Sequence, residues 1–324
     1  MPRFPITDHC DGERFFNPRG PAPRSFSDLP KWWLQRARGA GAPWPKSVPP
    51  TPARLPAAVE AGQVAATLLG HATWLLQFPG LTVLTDPVFA THAGPLGLLG
   101  PKRVQPAALR LGELPRIDVV LLSHNHYDHL DLSALRWLSR QRQPAILAPL
   151  GLKPWLAARG IHDVVELDWW QAHFPRAGVE VACTPAQHWS SRSPWDRCRT
   201  LWGGFMLRTD HGTVYFAGDS GWGPHFAEIG TRLGAPGLAL LPIGAYEPRW
   251  FMAPVHLNPA EAVQAHLALG AARSLGMHHE TWELTDEGYE APRRDLAVAR
   301  AGAGLAGNAF AVPATGETVV VALR

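Results

Sequence analysis

The hydrophobic pattern changes character near residue 63. Upstream, the chain is dense in proline with little periodicity, and PKWWLQRARGAGAPWPKSVPPTPARLP can sustain only one short helix, because proline lacks the donor a helix interior needs. Downstream, short apolar runs alternate with helical ones. VAATLL, TWLLQF and LTVLT predict strands, the last two joined as a hairpin at Pro79-Gly80. IDVVLLS is continuously apolar, which predicts a strand covered on both faces. DLSALRWLSRQ follows as a helix with Asp131 placed to cap it. VEVACTPAQH, GTVYFAGDS, LALLPIG and RSLGMHH repeat the grammar, each a strand that finishes in polar residues. NPAEAVQAHLALG reads as a helix capped by Asn258, with Pro259 in its first turn, Glu261 at the reciprocal capping position and Gly270 closing it. ETVVVAL is a final strand. No repeat of fixed period is present, and a pseudo-duplicated pair of sheets remains open. The expectation is an α/β fold with mixed sheets, formed by residues 63–324, with residues 1–62 as an irregular extension packed on it.

Composition narrows the classes. Of 324 residues 46% are hydrophobic and 18% charged, so the chain carries the apolar surface that a disordered one lacks. The net charge is +3, and the basic residues are scattered rather than gathered into a stripe, which speaks against nucleic acid as a partner. Cys10, Cys183 and Cys198 form no C-x-x-C pair, so neither a disulfide framework nor a thiolate zinc site is expected and a reducing compartment suits the chain. MPRFPITDHC lacks the apolar stretch of a signal peptide, and no apolar run reaches about 18 residues. A soluble, cytoplasmic protein is expected.

Candidate chemistry concentrates in SHNHYDHLD, residues 123–131. His124, His126, Asp128 and His129 fall within six positions directly after a buried strand, where a turn can aim alternate side chains at one point. A lone buried histidine is ordinarily a core residue with satisfied nitrogens, but four such groups side by side point to a metal ion. Imidazole and carboxylate without thiolate suit zinc and also admit manganese or iron. His188 in TPAQHWS, Asp219 in FAGDSGWG and His278 in LGMHHETW stand at further strand ends. Each alone has a structural reading. Strand ends on one rim of a sheet sandwich converge, however, and seven ligands divide into a three-histidine site and a mixed site joined by a bridging carboxylate. His71 in GHAT and Asp86 in LTDPVF are expected to orient metal-bound imidazoles from behind; the alternatives are a histidine tying the first hairpin and a turn aspartate before Pro87. No serine lies in a G-x-S-x-G elbow and no cysteine resembles an activated thiolate, so no protein nucleophile is expected.

SHNHYDHLD resembles the H-x-H-x-D-H signature of the metallo-β-lactamase superfamily, and TPAQHW, YFAGDSG and GMHHETW are similar to its remaining ligand motifs in order and context. With GHATWLLQF, LTDPVF, ELDWW, WGGF, LLPIGAYEPRWFM and the NPAEAVQAH helix, the chain resembles the N-acyl-phosphatidylethanolamine-hydrolysing phospholipase D branch over nearly all of residues 64–290. DGERFFNP resembles the extension of that branch's bacterial relatives. The resemblance implies an αββα sandwich, two mixed sheets flanked by helices, and two Zn2+ per chain. It implies that His124, His126 and His188 hold one zinc, that Asp128, His129 and His278 hold the other, and that Asp219 bridges. His278 fits the family position better than His279. The sequence departs from the family there, since HHETWELTDE puts His279 and Glu280 in place of an aromatic and a glycine.

The implied function is a dinuclear zinc hydrolase that cleaves a phosphodiester in an N-acyl-phosphatidylethanolamine-like phospholipid, the two ions making a shared water reactive near neutral pH. Asp128 and His256 are the catalytic candidates. His256 either caps backbone in its loop or supplies a proton to the leaving oxygen, and the resemblance favours the second. Arg249 and Tyr246 stay outside the catalytic set, because an arginine in an E-P-R turn equally forms a structural ion pair. Rival readings are a lactonase or other ester or amide hydrolase on the same metals, and a non-catalytic metal-binding protein. Trp32, Trp33 and Trp44, beside Lys31, Arg36, Arg38 and Lys46, are expected to pin the extension to the body in preference to lying at a lipid surface. The expected partner is a small-molecule or phospholipid substrate. Transient contact with the inner face of a membrane stays open, and the resemblance suggests a homodimer.

Overall fold

Alternate residues of the buried strands belong to two different hydrophobic clusters, and that division sets the layers. The computed structural model describes residues 3–323. In it α1 (Leu29–Gln35) is a short helix of the extension, and the first sheet begins with β1 (Gln63–Gly70), β2 (Thr73–Phe78), β3 (Leu81–Thr85), β4 (Val119–Leu121), β5 (Ala145–Pro149) and β6 (Val164–Leu167). The second holds β7 (Ala172–Arg176), β8 (Val179–Thr184), β9 (Gly204–Thr209), β10 (Gly212–Phe216), β11 (Leu238–Pro242), β12 (Ser274–Met277) and β13 (Phe310–Ala311). The last strand, β14 (Thr318–Ala322), returns to the first sheet beside β1. Val119 and Leu121 of β4 join one cluster with Trp74, Leu76 and Val83 and with Val181, Phe205 and Leu207 of the second sheet. Val120, Leu75, Leu84 and Ile146 join the other. A strand with both faces buried has no polar face to show, which is why IDVVLLS is unbroken.

Helices close the two outer faces. α2 (Leu132–Gln141) and α3 (Leu152–Ala157) cover the first sheet through Leu135, Leu138, Leu152 and Leu156. α4 (His225–Leu233), the single turn α5 (Arg249–Met252), α6 (Pro259–Leu269) and α7 (Ala291–Gly302) belong to the second half, and Phe226, Ile229, Val263 and Leu296 extend its cluster. The expected α/β sandwich is observed. Two caps are made as the sequence requires: Asp131 Oδ1 accepts from Ser133 N at 2.9 Å and Ala134 N at 3.2 Å, while Asn258 and Glu261 cap one another reciprocally. Asp131 Oδ2 also accepts from Phe89 N at 3.1 Å, tying the start of α2 to the loop after β3.

The pairing order is duplicated although the sequence shows no period. From β1 to β6 the pairs run antiparallel, antiparallel, then parallel three times. From β8 to β13 the succession is the same. Equivalent connections therefore carry equivalent chemistry: His71 follows β1 and His188 follows β8, while Asp86 follows β3 and Asp219 follows β10.

Residues 3–62 add no strand to either sheet, and specific polar contacts hold them down. Trp32 Nε1 donates to Asp286 Oδ2 at 2.8 Å, Trp44 Nε1 donates to the Glu287 carbonyl at 2.8 Å, and Arg36 pairs with Glu283. Trp33, by contrast, is 61% exposed. Further upstream the His9 ring stacks on Trp169 at 4.4 Å and meets Asp168 at 2.8 Å and Asp8 at 2.7 Å. Burial opposes a proton on His9, but the two carboxylates outweigh it and raise the pKa above its ordinary value. The folded ring thus keeps its proton to higher pH than the unfolded one, so its contribution to anchorage is full below about 6.5 and fades as pH rises through the raised value. Limited proteolysis of the extension is expected to be slower at pH 6 than at pH 9, with His9→Gln erasing the difference; equal rates in the unaltered protein would contradict this.

Candidate metal centre

Every candidate side chain but His256, which lies between α5 and α6, follows the C-terminal end of a strand. His71 follows β1, Asp86 follows β3, residues 124–129 follow β4, His188 follows β8, Asp219 follows β10 and His278 follows β12. These ends gather on one rim, so residues more than 200 positions apart meet. Gly218 sets the closeness of the two sheets there. Its φ is +60°, and a Cβ on it would stand 2.6 Å from Cβ of Ser123, so only glycine lets the end of β10 approach the end of β4. His71, Asp86 and His278 also have positive φ, at 55°, 31° and 63°. Each such non-glycine residue costs about 1 kcal/mol or more, so the surrounding fold imposes the arrangement against local preference.

His124, His126 and His188 form one group. His124 Nε2 and His188 Nε2 lie 2.8 and 3.2 Å from His126 Nδ1. Asp128, His129, His278 and His71 form a second, with Asp128 Oδ2 at 3.6 Å from His129 Nε2, 3.4 Å from His278 Nε2 and 3.1 Å from His71 Nε2. In each group the ligand atoms lie within 4.8 Å of one another, the spacing at which they could hold a metal ion. Asp219 stands between the two groups. Its Oδ2 is 3.0 Å from both His129 Nε2 and His278 Nε2, 3.8 Å from His188 Nε2 and 4.0 Å from His124 Nε2. His256 Nδ1 is a further 4.0 Å neighbour of the same oxygen. His278 thus faces both carboxylates, whereas His279 turns to Glu280 at 3.4 Å.

The donor set fits cations. Buried polar atoms ordinarily have hydrogen-bond partners, yet His126 Nε2, His129 Nε2, His278 Nε2, His256 Nδ1 and Asp219 Oδ1 make none among the described residues. His129 Nε2 and His278 Nε2 both stand 3.0 Å from Asp219 Oδ2 without hydrogen-bond alignment, so these atoms face a common point and not one another. Charge agrees. Burial would raise the carboxyls of Asp128 and Asp219, but the adjoining histidines, His129 above all, hold both well below the ordinary range, so two buried negative charges persist. Burial, with repulsion among the imidazoles, lowers His126 to about 3 and His188 to about 4 and pushes His124 far down. Burial also opposes a proton on the other two rings, but Asp219 and Asp128 outweigh it, raising His129 well above its ordinary range and His278 to about 9. This pair supplies positive charge of the kind a divalent ion would bring, while His124, His126 and His188 are neutral with lone pairs to offer.

A supporting layer fixes the orientations. Asp86 Oδ2 lies 2.6 Å from His129 Nδ1, and the same carboxylate accepts from Ser123 N at 2.7 Å and Ser123 Oγ at 2.5 Å. Ser123 Oγ in turn lies 2.9 Å from His124 Nδ1. His188 Nδ1 is held by the Val255 carbonyl at 2.9 Å, while Asn17 of the extension clasps both peptide groups of His188, at 2.9 and 3.3 Å. Arg192 donates from Nη1 to the carbonyls of Asn125 and Leu130, each at 2.9 Å, and stacks on Tyr127, stapling the histidine-rich turn. Sequence reasoning missed Ser123, Asn17 and Arg192. Ser123 and Asn17 stood inside quoted motifs, but Arg192 gave no local signal. Arg249 is an ion-pair residue, gripping Glu261 with Nη2 at 2.8 and 2.9 Å, and Tyr246 donates to Asp295 at 2.6 Å.

A sequence model of the beta-lactamase superfamily domain matches residues 82–279. The chain belongs to that superfamily. Within the superfamily it lies on the branch of the N-acyl-phosphatidylethanolamine-hydrolyzing phospholipase D 1 of Caenorhabditis elegans, to which it is 41% identical over 242 residues, 71% of this chain and 68% of that protein. The mitochondrial N-acyl-phosphatidylethanolamine-hydrolyzing phospholipase D of Saccharomyces cerevisiae is 37% identical over 75% of this chain and 54% of its own length. An uncharacterized protein of Mycobacterium tuberculosis is 37% identical over 74% and 65%. The chain therefore spans between about half and two thirds of these relatives. Among solved structures, a metallo hydrolase of Ignicoccus hospitalis superposes with a TM-score of 0.60 at 23% identity, over 80% of this chain and 98% of that one. An isothiocyanate hydrolase from Delia radicum gut bacteria gives 0.61 at 20%, over 79% and 98%. These two superpositions bear on the fold of the superfamily alone. Fold, relatives and donor set together make the chain a metal-dependent hydrolase.

If Asp86 orients a ligand, Asp86→Asn should weaken metal retention by about 10–100-fold in a chelator competition while leaving far-UV circular dichroism unchanged. Unaltered retention would contradict that role.

Proposed function

We propose that the protein is a dinuclear zinc phosphodiesterase of phospholipase D type, acting on an N-acyl-phosphatidylethanolamine-like phospholipid. In this reading His124, His126 and His188 hold one ion, Asp128, His129 and His278 hold the other, and Asp219 serves both. The observation that carries the proposal is two ligand groups sharing one buried carboxylate at the base of a cavity of about 300 Å3, whose other lining includes Tyr127, Trp189, Phe251, Met252 and Val255. The names of the worm and yeast relatives support the bond and the substrate class. Two divalent ions would supply a reactive water near neutral pH and offset the charge of a phosphoryl oxygen.

The chain's own groups do the rest. Asp128, beside three imidazoles, is an acceptor that can receive a proton from the attacking water without leaving its place. His71 holds Asp128 Oδ2 at 3.1 Å, and burial, ahead of repulsion from His278, keeps the His71 ring neutral, at about 3. His256 lines the cavity with its ring 5.1 Å from His188 and 5.4 Å from His278. Its backbone is fixed independently, the carbonyl accepting from Arg249 Nη1 at 3.0 Å, and burial holds the ring well below its ordinary pKa, so it would meet the leaving oxygen as a neutral N–H donor and not as an imidazolium. Apolar walls exclude water from the reacting bond and suit acyl chains. No helix among the described residues is long and apolar enough to cross a membrane.

Zinc-loaded protein is expected to release an alcohol and phosphatidic acid from N-acyl-phosphatidylethanolamine and to cleave bis(4-nitrophenyl) phosphate, and His126→Ala is expected to abolish both. Hydrolysis of acyl lactones without phosphodiester cleavage, or full activity in His126→Ala, would overturn the proposal. His256→Ala should lower kcat by about 100-fold for the lipid, whose developing alkoxide needs a donated hydrogen bond, and far less for the aryl ester, whose phenolate needs little. Equal losses on both substrates would remove His256 from that role.

A further inference from the structure

The extension forms part of the catalytic cavity. Pro23, Arg24, Leu29 and Trp32 line it together with the ligand groups. Contacts from both sides hold this strap. Arg197 donates from Nη2 to the carbonyls of Arg24, at 2.6 Å, and Pro23, at 3.4 Å. Arg24 Nε donates to the Trp250 carbonyl at 2.9 Å, and Trp250 Nε1 donates to Gln35 Oε1 at 3.0 Å. The Trp32 indole, bonded to Asp286, lies 5.1 Å from the ring of Phe251.

Arg24 is the one lysine or arginine among the lining residues. Its Nε is committed to Trp250, while its terminal nitrogens have no hydrogen-bond partner among the described residues and the side chain is exposed. A guanidinium tethered at Nε and open at both ends is a fork suited to a phosphoryl or carboxylate group. Next to it the wall turns apolar, with Leu29, Trp32, Phe251, Met252 and Leu284. A single fixed cation beside an apolar wall matches a ligand that joins an anion to a hydrocarbon chain.

We propose that the strap sets specificity: Arg24 receives an anionic oxygen of the substrate, and Leu29 and Trp32, with Phe251, receive the chain attached to it. The proposal rests on the phosphodiesterase reading in taking that anion to be phosphoryl. Arg24 is here a specificity residue and not a metal ligand, so binding alone can test it.

The experiment is calorimetric titration of the zinc-loaded and the chelator-treated full chain with decyl phosphate, ethyl phosphate and the neutral triester dimethyl decyl phosphate. Arg24→Gln is expected to weaken decyl phosphate about tenfold in both preparations and to leave the triester unchanged. Arg24→Lys, which keeps the charge but loses the fork and the Nε tether, is expected to recover part of the affinity lost in Arg24→Gln, whereas a purely structural role through the Trp250 carbonyl would give equal losses in the two variants. Leu29→Ala is expected to weaken decyl phosphate several-fold and ethyl phosphate hardly at all. Unchanged decyl phosphate binding in Arg24→Gln, or equal loss for the anion and the triester, would overturn the proposal. A chain that cleaves no phosphodiester yet loses decyl phosphate on Arg24→Gln discards the phosphodiesterase reading alone; an active phosphodiesterase whose Arg24→Gln variant binds normally discards the strap proposal alone.

Discussion

A buried carboxylate amid imidazoles is the constraint around which the site is built. Asp219 Oδ2 lies within 3.0–4.0 Å of nitrogens on His129, His278, His188, His124 and His256, and its other oxygen has no hydrogen-bond partner among the described residues. Removing a charge from water is costly unless positive charge and directed donors replace the solvent. The fold meets that demand from several directions, with His124 and His129 from the turn after β4, His188 and His278 from the ends of β8 and β12, and His256 from the loop after α5. Gly218 makes the convergence sterically possible, and the positive φ values at His71, Asp86 and His278 show its local cost.

The duplicated pairing order explains why such distant residues meet. Each half ends its antiparallel pairs and begins its parallel ones at the strand that delivers an aspartate, Asp86 in the first half and Asp219 in the second. The two carboxylates then take different parts. Asp86 is saturated by Ser123 and His129, and burial raises its pKa, whereas Asp219 faces the cavity and stays ionised. One orients a histidine from behind and the other offers its charge.

The readable parts of this arrangement were the local ones. Six residues of one turn carry four candidate donors, and the continuous apolar run of IDVVLLS, with the capped helix after the turn, places them at the end of a buried strand. β7 gave a weak signal because it is an edge strand with Pro175 in it and an irregular register, and β9 was hidden by the glycines of WGGF. Arg192 and Asn17 act only through tertiary proximity, so no spacing rule exposes them, and Ser123, although next to His124, shows its part only through its bonds to Asp86. The departure at HHETWELTDE acquires a physical meaning instead of a doubt. Glu280 is held by Arg293 at 3.0 and 3.1 Å, and the acidic residues that follow receive Arg36, Trp32 and Trp44 of the extension. That segment couples the cavity wall to the chain's first residues, while His278 keeps its place between the carboxylates.

In the proposed function one shared carboxylate would let two groups of side chains hold two cations. Counting zinc per chain by native mass spectrometry, in the unaltered protein and in Asp219→Ala, tests it most directly. The account predicts two ions in the first and one or none in the second. A chain that never takes more than one ion, or an Asp219→Ala variant that still takes two, would contradict it.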